Sequence, residues 1–308
     1  MIFRLKTPEI LDSKVPIPSS KSVSNRVLIL NALCDRKKKI DNISPSDDTE
    51  VMIKALESNK SDVNIKAAGT AMRFLTAYFA VKKGKWNITG TERMKNRPVK
   101  ILIDALRSLG AQIECTEREG FPPLHIEGRQ LKGGDVYLDG SVSSQYISAL
   151  LMVAPVMTNG LRLHLTGDAV SKPYINLTVQ LMRKFGVIVF VEDRTFTVPP
   201  QQYVPASNFT VESDWSAASY WYEMMALSKN NASAVSLAGL TPDSLQGDAA
   251  LVGLFDRLGV KTLFTPSGVE LTKKEIAVDG LFAFDFIDMP DMAQTLAVTS
   301  AMLGIPFR

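Results

Sequence analysis

The chain contains 308 residues, enough for about two domains at roughly 150 residues each. Its 45% hydrophobic and 22% charged residues lie near the globular average and argue against a disordered, collagen-like or coiled-coil chain. The net charge of +3 lacks the strong basic excess of a nucleic-acid-binding protein. We expect no nucleic-acid partner, and any anionic ligand must be bound by local groups.

Neither targeting nor membrane signals are evident. The N-terminal MIFRLKTPEI has no apolar h-region, and the apolar stretch 149–157 is interrupted by Pro155 and is shorter than the roughly 20 residues of a membrane span. Cys34 and Cys115 have no CxxC partner, which is typical of a reduced, cytosolic protein. We therefore expect a cytoplasmic protein without membrane contact.

Histidine is scarce. His125 and His164 each lie among alternating apolar residues that predict a strand, and we expect ordinary strand side chains there. A His-based metal site or a Ser-His-Asp triad would need one of them to reach the right place alone. Proton transfer in an enzyme of this composition would fall mainly to carboxylates and lysines.

Two kinds of predicted helix alternate along the chain. Helices of the first kind are apolar almost all round and should be buried. They are predicted to start at Ser19, Gly69, Ser143, Asp214 and Asp291. Helices of the second kind are amphipathic and should lie at a surface; the first of them is capped by Ser46 or Asp48.

The three later amphipathic helices each end at a glycine. Gly110, Gly186 and Gly259 are 76 and 73 residues apart and can adopt the left-handed conformation that terminates a helix. A β-branched run follows each glycine. The pattern predicts an α/β module of about 70 to 75 residues and an α/β or α+β class.

The repeat count is uneven, with five buried helices but only four amphipathic ones. A repeat architecture normally closes its last unit, because a half-unit leaves an apolar face uncovered. We therefore expect the chain to be the N-terminal portion of a longer protein.

The buried helices begin with small or polar residues. Helix N-termini present unpaired N–H groups and a partial positive charge, so several of them together would bind anions. Ordinary N-capping by Ser, Thr and Asp explains many of the same residues. From the residues alone, both interpretations stay open.

Six sequence motifs are specific enough to indicate a protein family. They are PSSKSVSNRVLILNAL (18–33), AGTAMR (68–73), ERMKNRPV (92–99), DGSVSSQYISALLM (139–152), SKPYINLT (171–178) and MPDMAQTLA (289–297). In content and order they resemble the 5-enolpyruvylshikimate-3-phosphate synthase family. The resemblance implies an inside-out α/β barrel of repeated βαβαββ units in two domains, with the active site in the cleft between them. One domain would span 19–211, and the other, incomplete, would combine 1–18 with 212–308.

The resemblance also implies the activity. Family members transfer the enolpyruvyl group of phosphoenolpyruvate to the 5-hydroxyl of shikimate 3-phosphate by addition and elimination, in aromatic amino-acid biosynthesis. They need neither metal nor organic cofactor, so we expect none here. We further expect a monomer whose partners are these two metabolites.

Site residues follow from the matched motifs. The resemblance assigns shikimate 3-phosphate to Lys21, Ser22, Arg26, Ser143, Ser144, Gln145, Ser171, Tyr174 and Asp291. It assigns phosphoenolpyruvate to Lys21, Gly69, Arg97 and Gln145, with Lys21 and Asp291 as the catalytic residues. We expect Arg73, Lys172 and the run 36–39 to be solvated.

Some positions depart from the family. Ala67 stands where Asn is common and Phe74 where many members have Pro, which leaves the shape of the phosphoenolpyruvate site and glyphosate sensitivity open. The family's KETDR-like motif and later basic residues have no counterpart. Losing two or three charge-assisted contacts would cost roughly 3 to 9 kcal/mol, so we predict that the chain alone is nearly inactive.

Two alternatives remain. UDP-N-acetylglucosamine enolpyruvyl transferase shares the architecture, but its lysine is typically followed by Asn, and it commonly carries a reactive loop cysteine. Here Ser22 follows Lys21, and we interpret Cys115 as an incidental thiol. The other alternative is a non-catalytic fragment that binds shikimate 3-phosphate.

Overall fold

The computed structural model describes residues 8–58, 60–167 and 170–308. They form two compact units: unit 1 combines residues 8–20 with Glu212–Arg308, and unit 2 is Lys21–Val211. Residues 1–7, which belong to the predicted 1–18 segment, lie outside the described residues.

Helices and strands alternate through both units. The helices are α1 (Lys21–Ala32), α2 (Asp47–Glu57), α3 (Gly69–Val81), α4 (Glu92–Lys95), α5 (Lys100–Ser108), α6 (Ser144–Val153), α7 (Lys172–Lys184), α8 (Trp215–Leu227), α9 (Leu251–Arg257) and α10 (Ala293–Met302). The strands are β1 (Asp12–Pro16), β2 (Ile40–Asp41), β3 (Asp62–Asn64), β4 (Gly84–Thr89), β5 (Gln112–Cys115), β6 (Leu124–Gly128), β7 (Gly134–Asp139), β8 (Leu161–Thr166), β9 (Phe190–Glu192), β10 (Thr195–Val198), β11 (Phe209–Thr210), β12 (Ala234–Ala238), β13 (Val260–Thr265) and β14 (Gly268–Lys273). Short 3₁₀ turns cover Ala154–Val156, Gly247–Ala250 and Pro290–Met292.

Three four-stranded sheets share one topology. Their strand orders are β3-β4-β6-β5 and β7-β8-β10-β9 in unit 2, and β1-β12-β14-β13 in unit 1. In each sheet the first pair is parallel and the other two pairs are antiparallel. A parallel pair needs a crossover, which α3 supplies between β3 and β4 and α6 between β7 and β8. The sheets therefore repeat one βαβαββ arrangement.

The core of unit 2 is built on α3 and α6. Every residue of 71–80 in α3 and of 146–153 in α6 is buried, which confirms the prediction of buried helices for these two segments. In β4 and β7, buried residues alternate with exposed or half-buried ones. One face of each strand thus packs inward while the other faces solvent, as expected when helices cover one side of a sheet.

Unit 1 has its own core, centred on Trp215, Tyr222, Phe255 and Phe282. Its helices α8 and α10 are only partly buried, so the expectation that they are buried all round is wrong. Exposed apolar side chains on them are Tyr220, Met224, Val298 and Met302. Nothing among the described residues covers these faces, and apolar composition alone did not reveal which face would be left open.

Local expectations had mixed outcomes. Gly110, Gly186 and Gly259 all have positive φ, which confirms the left-handed helix ends. Ser46 lies at the N-cap of α2 but makes no side-chain capping bond; its hydroxyl pairs with Thr49 Oγ1 at 3.0 Å. Thr49 in turn donates to a residue of α1, so the Ser46 hydroxyl takes part in a contact between helices. Ser46 is thus the N-cap residue as predicted, but its side chain does not cap the helix.

The two histidines are satisfied strand residues, as expected. His125 Nδ1 lies 2.7 Å from Asn87 Oδ1. His164 lies 3.1 Å from Thr195 Oγ1 and 3.0 Å from Asp135 Oδ1 through its two ring nitrogens. Within the described residues, no His, Cys, Asp or Glu cluster is arranged to hold a metal ion. No helix in the same residues has the length and apolarity needed to cross a bilayer.

Candidate functional site

Four helices of unit 2 begin at one end of that unit. Arg26, in the second turn of α1, reaches residues of equivalent depth in three other helices. They are Phe74 in α3, whose ring centre is 5.3 Å away, Ser148 in α6 at 3.3 Å and Thr178 in α7 at 2.7 Å. Arg26 also bonds to the Ser22 and Tyr174 carbonyls, in the first turns of α1 and α7. Arg73 bonds to the Gly69 carbonyl and contacts the Tyr146 ring, in the first turns of α3 and α6. These contacts place the starts of the four helices at one end of the unit. Exposed Lys21, the first residue of α1, lies at this end.

The Arg26 guanidinium is a buried anchor of this arrangement. It is 2% exposed and donates to Thr178 Oγ1, Ser148 Oγ and the carbonyl oxygens of Ser22 and Tyr174. Burial lowers the pKa of Arg26 to about 10, so the group remains a cation at neutral pH. Most of its donors already bind protein oxygens, so bidentate binding of a substrate carboxylate would require some of these bonds to be exchanged.

A second cluster forms where α3 begins. A Cβ atom added to Gly69 would lie 2.2 Å from Nη1 and 2.8 Å from Cζ of Arg97. It would lie 2.9 Å from Nη1 of Arg73, which donates to the Gly69 carbonyl at 2.7 Å. The structure thus brings Gly69 and Arg97 together, and only a residue without a side chain allows the guanidinium this close.

The start of α6 is polar and tightly capped. Ser143 is the N-cap, and its hydroxyl accepts from the Gln145 backbone N–H at 3.4 Å. Ser144 is buried, and the buried Gln145 Oε1 has no hydrogen-bond partner among the described residues. Capping explains Ser143, but an unpaired buried amide oxygen needs another explanation, and a ligand donor would supply it.

The start of α7 has an unusual backbone. Ser171 precedes the helix with φ 54°, in the left-handed region, and makes no side-chain cap bond. Tyr174 follows one turn later, with its ring centre 5.8 Å from the Arg26 guanidinium. Lys172 is exposed, as expected, and so is the run 36–39.

In unit 1 the candidate base lies among other carboxylates. Asp291 is exposed, within the 3₁₀ turn that precedes α10. Asp248 is buried and accepts a short hydrogen bond from Ser216. Burial raises the pKa of Asp248 to about 6, and the charges of Asp291 and Asp214 act in the same direction. Below about pH 6 the Asp248 carboxyl group is therefore protonated, and Asp291 is an ionisable group near it.

Sequence reasoning missed three residues. Arg73 was expected to be solvated, and this is wrong, since it is 6% exposed. Its position inside the apolar helix α3 was the available signal. Tyr146 and Asp248 were not singled out, although Tyr146 follows the polar run that opens α6 and Asp248 follows the Gln246-Gly247 turn beside α8.

The fold and the site define a class before any relative is considered. Sheets of repeated topology cover one side of a helical core, and arginines without an ion-pair partner among the described residues gather at the helix N-termini. This is an inside-out α/β protein of the kind that binds anionic metabolites.

Comparison with known proteins narrows the class to one family. Residues 5–60 and 56–305 match the model of EPSP synthase (3-phosphoshikimate 1-carboxyvinyltransferase). The enzyme named 3-phosphoshikimate 1-carboxyvinyltransferase from Bacteroides fragilis strain YCH46 is 52% identical over 309 residues, covering all of this chain and 74% of the relative. The enzyme of the same name from Sulfurovum sp. is 37% identical over 324 residues, covering 96% and 74%.

Solved structures agree on the fold. EPSP synthase from Acinetobacter baumannii superposes with a TM-score of 0.70 at 20% identity, over 94% of this chain and 69% of that one. The chain belongs to the EPSP synthase family, and the predicted family, fold class and enzyme class are confirmed. It spans about three quarters of the length of its curated relatives.

Proposed function

We propose that this chain uses the N-terminal ends of the unit 2 helices to bind shikimate 3-phosphate and phosphoenolpyruvate for enolpyruvyl transfer. The observation that carries the proposal is the Arg97 guanidinium held against Gly69 at the start of α3. This places a cation next to helix N–H groups, which suits a ligand carrying both a carboxylate and a phosphate.

Phosphoenolpyruvate would be bound by Lys21, Gly69, Arg97 and Gln145. Arg97 supplies a planar pair of donors, and Gly69 leaves room for the anion to approach the backbone. Gln145 is half-buried, its Oε1 atom is buried without a partner among the described residues, and rotation of its amide would offer N–H donors instead. Lys21 would stabilise negative charge on the bound ligand.

Shikimate 3-phosphate would be bound by a larger set of hydroxyls. They are Ser22, Ser143, Ser144, Ser171 and Tyr174, together with Lys21, Arg26, Gln145 and Asp291. Hydroxyl groups at helix starts can donate to phosphate oxygens and accept from ring hydroxyls. Arg26 would act chiefly by fixing α1 and α7, since most of its donors already bind protein oxygens.

The chemistry needs a base and a proton for carbon. Asp291 would take the proton of the 5-hydroxyl of shikimate 3-phosphate as the hydroxyl oxygen bonds to the central carbon of phosphoenolpyruvate. In the same step a general acid would donate a proton to the methylene carbon. Loss of phosphate from this tetrahedral intermediate, with loss of a methyl proton, restores the double bond. The residues named here contribute mainly by holding two anions in reacting positions.

Ligand protection of the whole 308-residue chain tests the assignment. We expect shikimate 3-phosphate to raise the melting temperature and UDP-N-acetylglucosamine to leave it unchanged. Lys21→Met should weaken binding, whereas Lys172→Met, an exposed lysine at another helix start, should not. Protection by the UDP-sugar alone would refute the proposal. Phosphate release, measured alongside, tests the expected low turnover of this chain.

We further infer that the protein is a cytoplasmic monomer whose two units are its domains. The two free cysteines and the modest net charge support a reduced intracellular setting. Sedimentation velocity of the purified chain should give a single species near 33.8 kDa. A concentration-dependent dimer would contradict the monomer.

A further inference from the structure

Arg73 is buried in an environment that does not neutralise it. The side chain is 6% exposed, and its Nε has no hydrogen-bond partner among the described residues. Of the ion pairs that the described residues form, none includes Arg73 or Arg97. A buried cation without a carboxylate is costly, so this position calls for an explanation.

The neighbours of Arg73 connect it to Arg97. Nη1 of Arg73 and Nη1 of Arg97 both lie within 3 Å of the point where a Gly69 side chain would start. Burial lowers the pKa of Arg73; the Tyr146 hydroxyl opposes this shift, and the positive charge of Arg97 adds to it. Two cations held this close repel one another unless an anion lies between or beside them.

Tyr146, in α6, contacts the cluster formed by Gly69, Arg73 and Arg97. Its ring lies under the Arg73 guanidinium, 5.4 Å from the guanidinium carbon to the ring centre. Its hydroxyl donates to the carbonyl oxygen of Pro98 at 2.7 Å, one residue after Arg97. Tyr146 thereby ties α6 to the backbone that carries Arg97, and Arg73 ties the same ring to Gly69 through its bond to the Gly69 carbonyl.

We propose that Arg73 and Tyr146 are positioning residues that hold the Arg97 guanidinium over Gly69, ready to bind the phosphoenolpyruvate anion. The inference rests on the proposed function and adds two residues to it. Tyr146 fixes the backbone of the segment through its bond to Pro98, and Arg73, bonded to the Gly69 carbonyl beside Arg97, limits the positions that the Arg97 guanidinium can take. A bound anion would relieve the repulsion between the two arginines, so the absence of a carboxylate partner for them would strengthen anion binding.

The test is a titration of the full chain with phosphoenolpyruvate at saturating shikimate 3-phosphate, followed by calorimetry. Tyr146→Phe keeps the ring but removes the hydroxyl, with its bond to Pro98 and its interaction with Arg73, and should weaken phosphoenolpyruvate binding about three- to tenfold. Arg73→Met should weaken it more than tenfold. Both should leave the affinity for shikimate 3-phosphate within about twofold, because a merely structural defect would lower both affinities.

Tyr203→Phe is the matched control. Tyr203 is also buried, and its hydroxyl donates to the Met152 carbonyl at 2.7 Å, at the other end of α6. It should change stability to a similar degree without changing phosphoenolpyruvate binding. If Arg73→Met does not fold, the phosphoenolpyruvate affinity of Tyr146→Phe alone tests the inference.

Equal phosphoenolpyruvate affinity of wild type, Tyr146→Phe and Tyr203→Phe would overturn the inference while leaving the proposed function intact. A wild-type chain that binds neither metabolite would overturn both.

Discussion

Replacing Gly69 by alanine separates ligand binding from folding. The new methyl group would lie 2.2 Å from Nη1 of Arg97, 2.8 Å from its Cζ and 2.9 Å from Nη1 of Arg73. Ordinary contacts between heavy atoms lie near 3.5 to 4.0 Å, so the Arg97 Nη1 atom, at 2.2 Å, must retreat by roughly 1.3 to 1.8 Å. The group that moves is the end of a flexible side chain rather than backbone.

Binding should therefore suffer far more than stability. A displacement of about 1 Å in a positioning group can cost up to about a hundredfold, so we expect phosphoenolpyruvate affinity to fall ten- to a hundredfold, or roughly 1.4 to 2.7 kcal/mol. The free energy of unfolding should change by less than about 1 kcal/mol, since alanine is the better helix former. Affinity for shikimate 3-phosphate should be nearly unchanged.

Two other glycines serve as controls in the same assays, calorimetric titration and urea unfolding. A Cβ at Gly253, in α9, meets nothing within 4 Å, so Gly253→Ala should stabilise by about 0.5 to 1 kcal/mol without changing binding. A Cβ at Gly128 would lie 1.9 Å from the Lys82 carbonyl oxygen, and Gly128→Ala should destabilise by about 3 kcal/mol or more. If Gly69→Ala behaves like Gly253→Ala, the placement of Arg97 at the anion site is refuted.

Three further predictions concern buried groups. Because burial raises the pKa of Asp248 to about 6, its proton stabilises the folded chain fully below about pH 4, and this contribution is lost as pH rises through 6. Asp248→Asn should therefore be about 2 kcal/mol more stable than wild type at pH 8, with no such gain at pH 4, in urea unfolding across pH. Arg26→Met leaves several buried oxygens without their donor and should cost about 3 kcal/mol, seen as a lower urea midpoint; an unchanged midpoint would contradict its role as an anchor. Burial raises the pKa of Cys34 to about 11, so at pH 8 a thiol reagent should label Cys115 first and Cys34 only after unfolding. Equal labelling rates in the native chain would show that Cys34 is accessible.

Periodicity in the sequence was enough to find the nine longer helices of the described residues and their order, but not the four-residue helix α4. Helix α3 starts at Gly69 as predicted, and the glycines that end α5, α7 and α9 have the expected positive φ. These features are local, since each depends on the residues of one segment. The predicted start of α10 at Asp291 was less accurate, because the residues around Asp291 form a separate 3₁₀ turn and α10 begins at Ala293.

What the sequence could not supply was the surroundings of each side chain. Arg73 and Lys172 both lie in helices rich in apolar residues, yet one is buried and the other exposed. The difference comes from neighbouring helices that pack against α3 and leave the start of α7 open. Motif resemblance named Gly69 and Arg97 as site residues, but their direct contact, and the part of Tyr146 in it, depend on tertiary packing.

Strand β1 pairs with β12, and a hydrogen bond beside this pair joins Leu11 N to Ser233 Oγ across 222 positions of the chain. A ribosome therefore releases the whole of unit 2 before the partner of β1 exists. Within unit 2, β2 pairs with β11 and the Val211 N–H bonds to the Asp41 carbonyl, so folding of that unit draws its own first and last segments together. Early folding of unit 2 thus shortens the loop that unit 1 must close. Until β12 has been synthesised, β1 lacks its partner strand, and its backbone N–H and C=O groups can pair with a chaperone or with a second nascent chain.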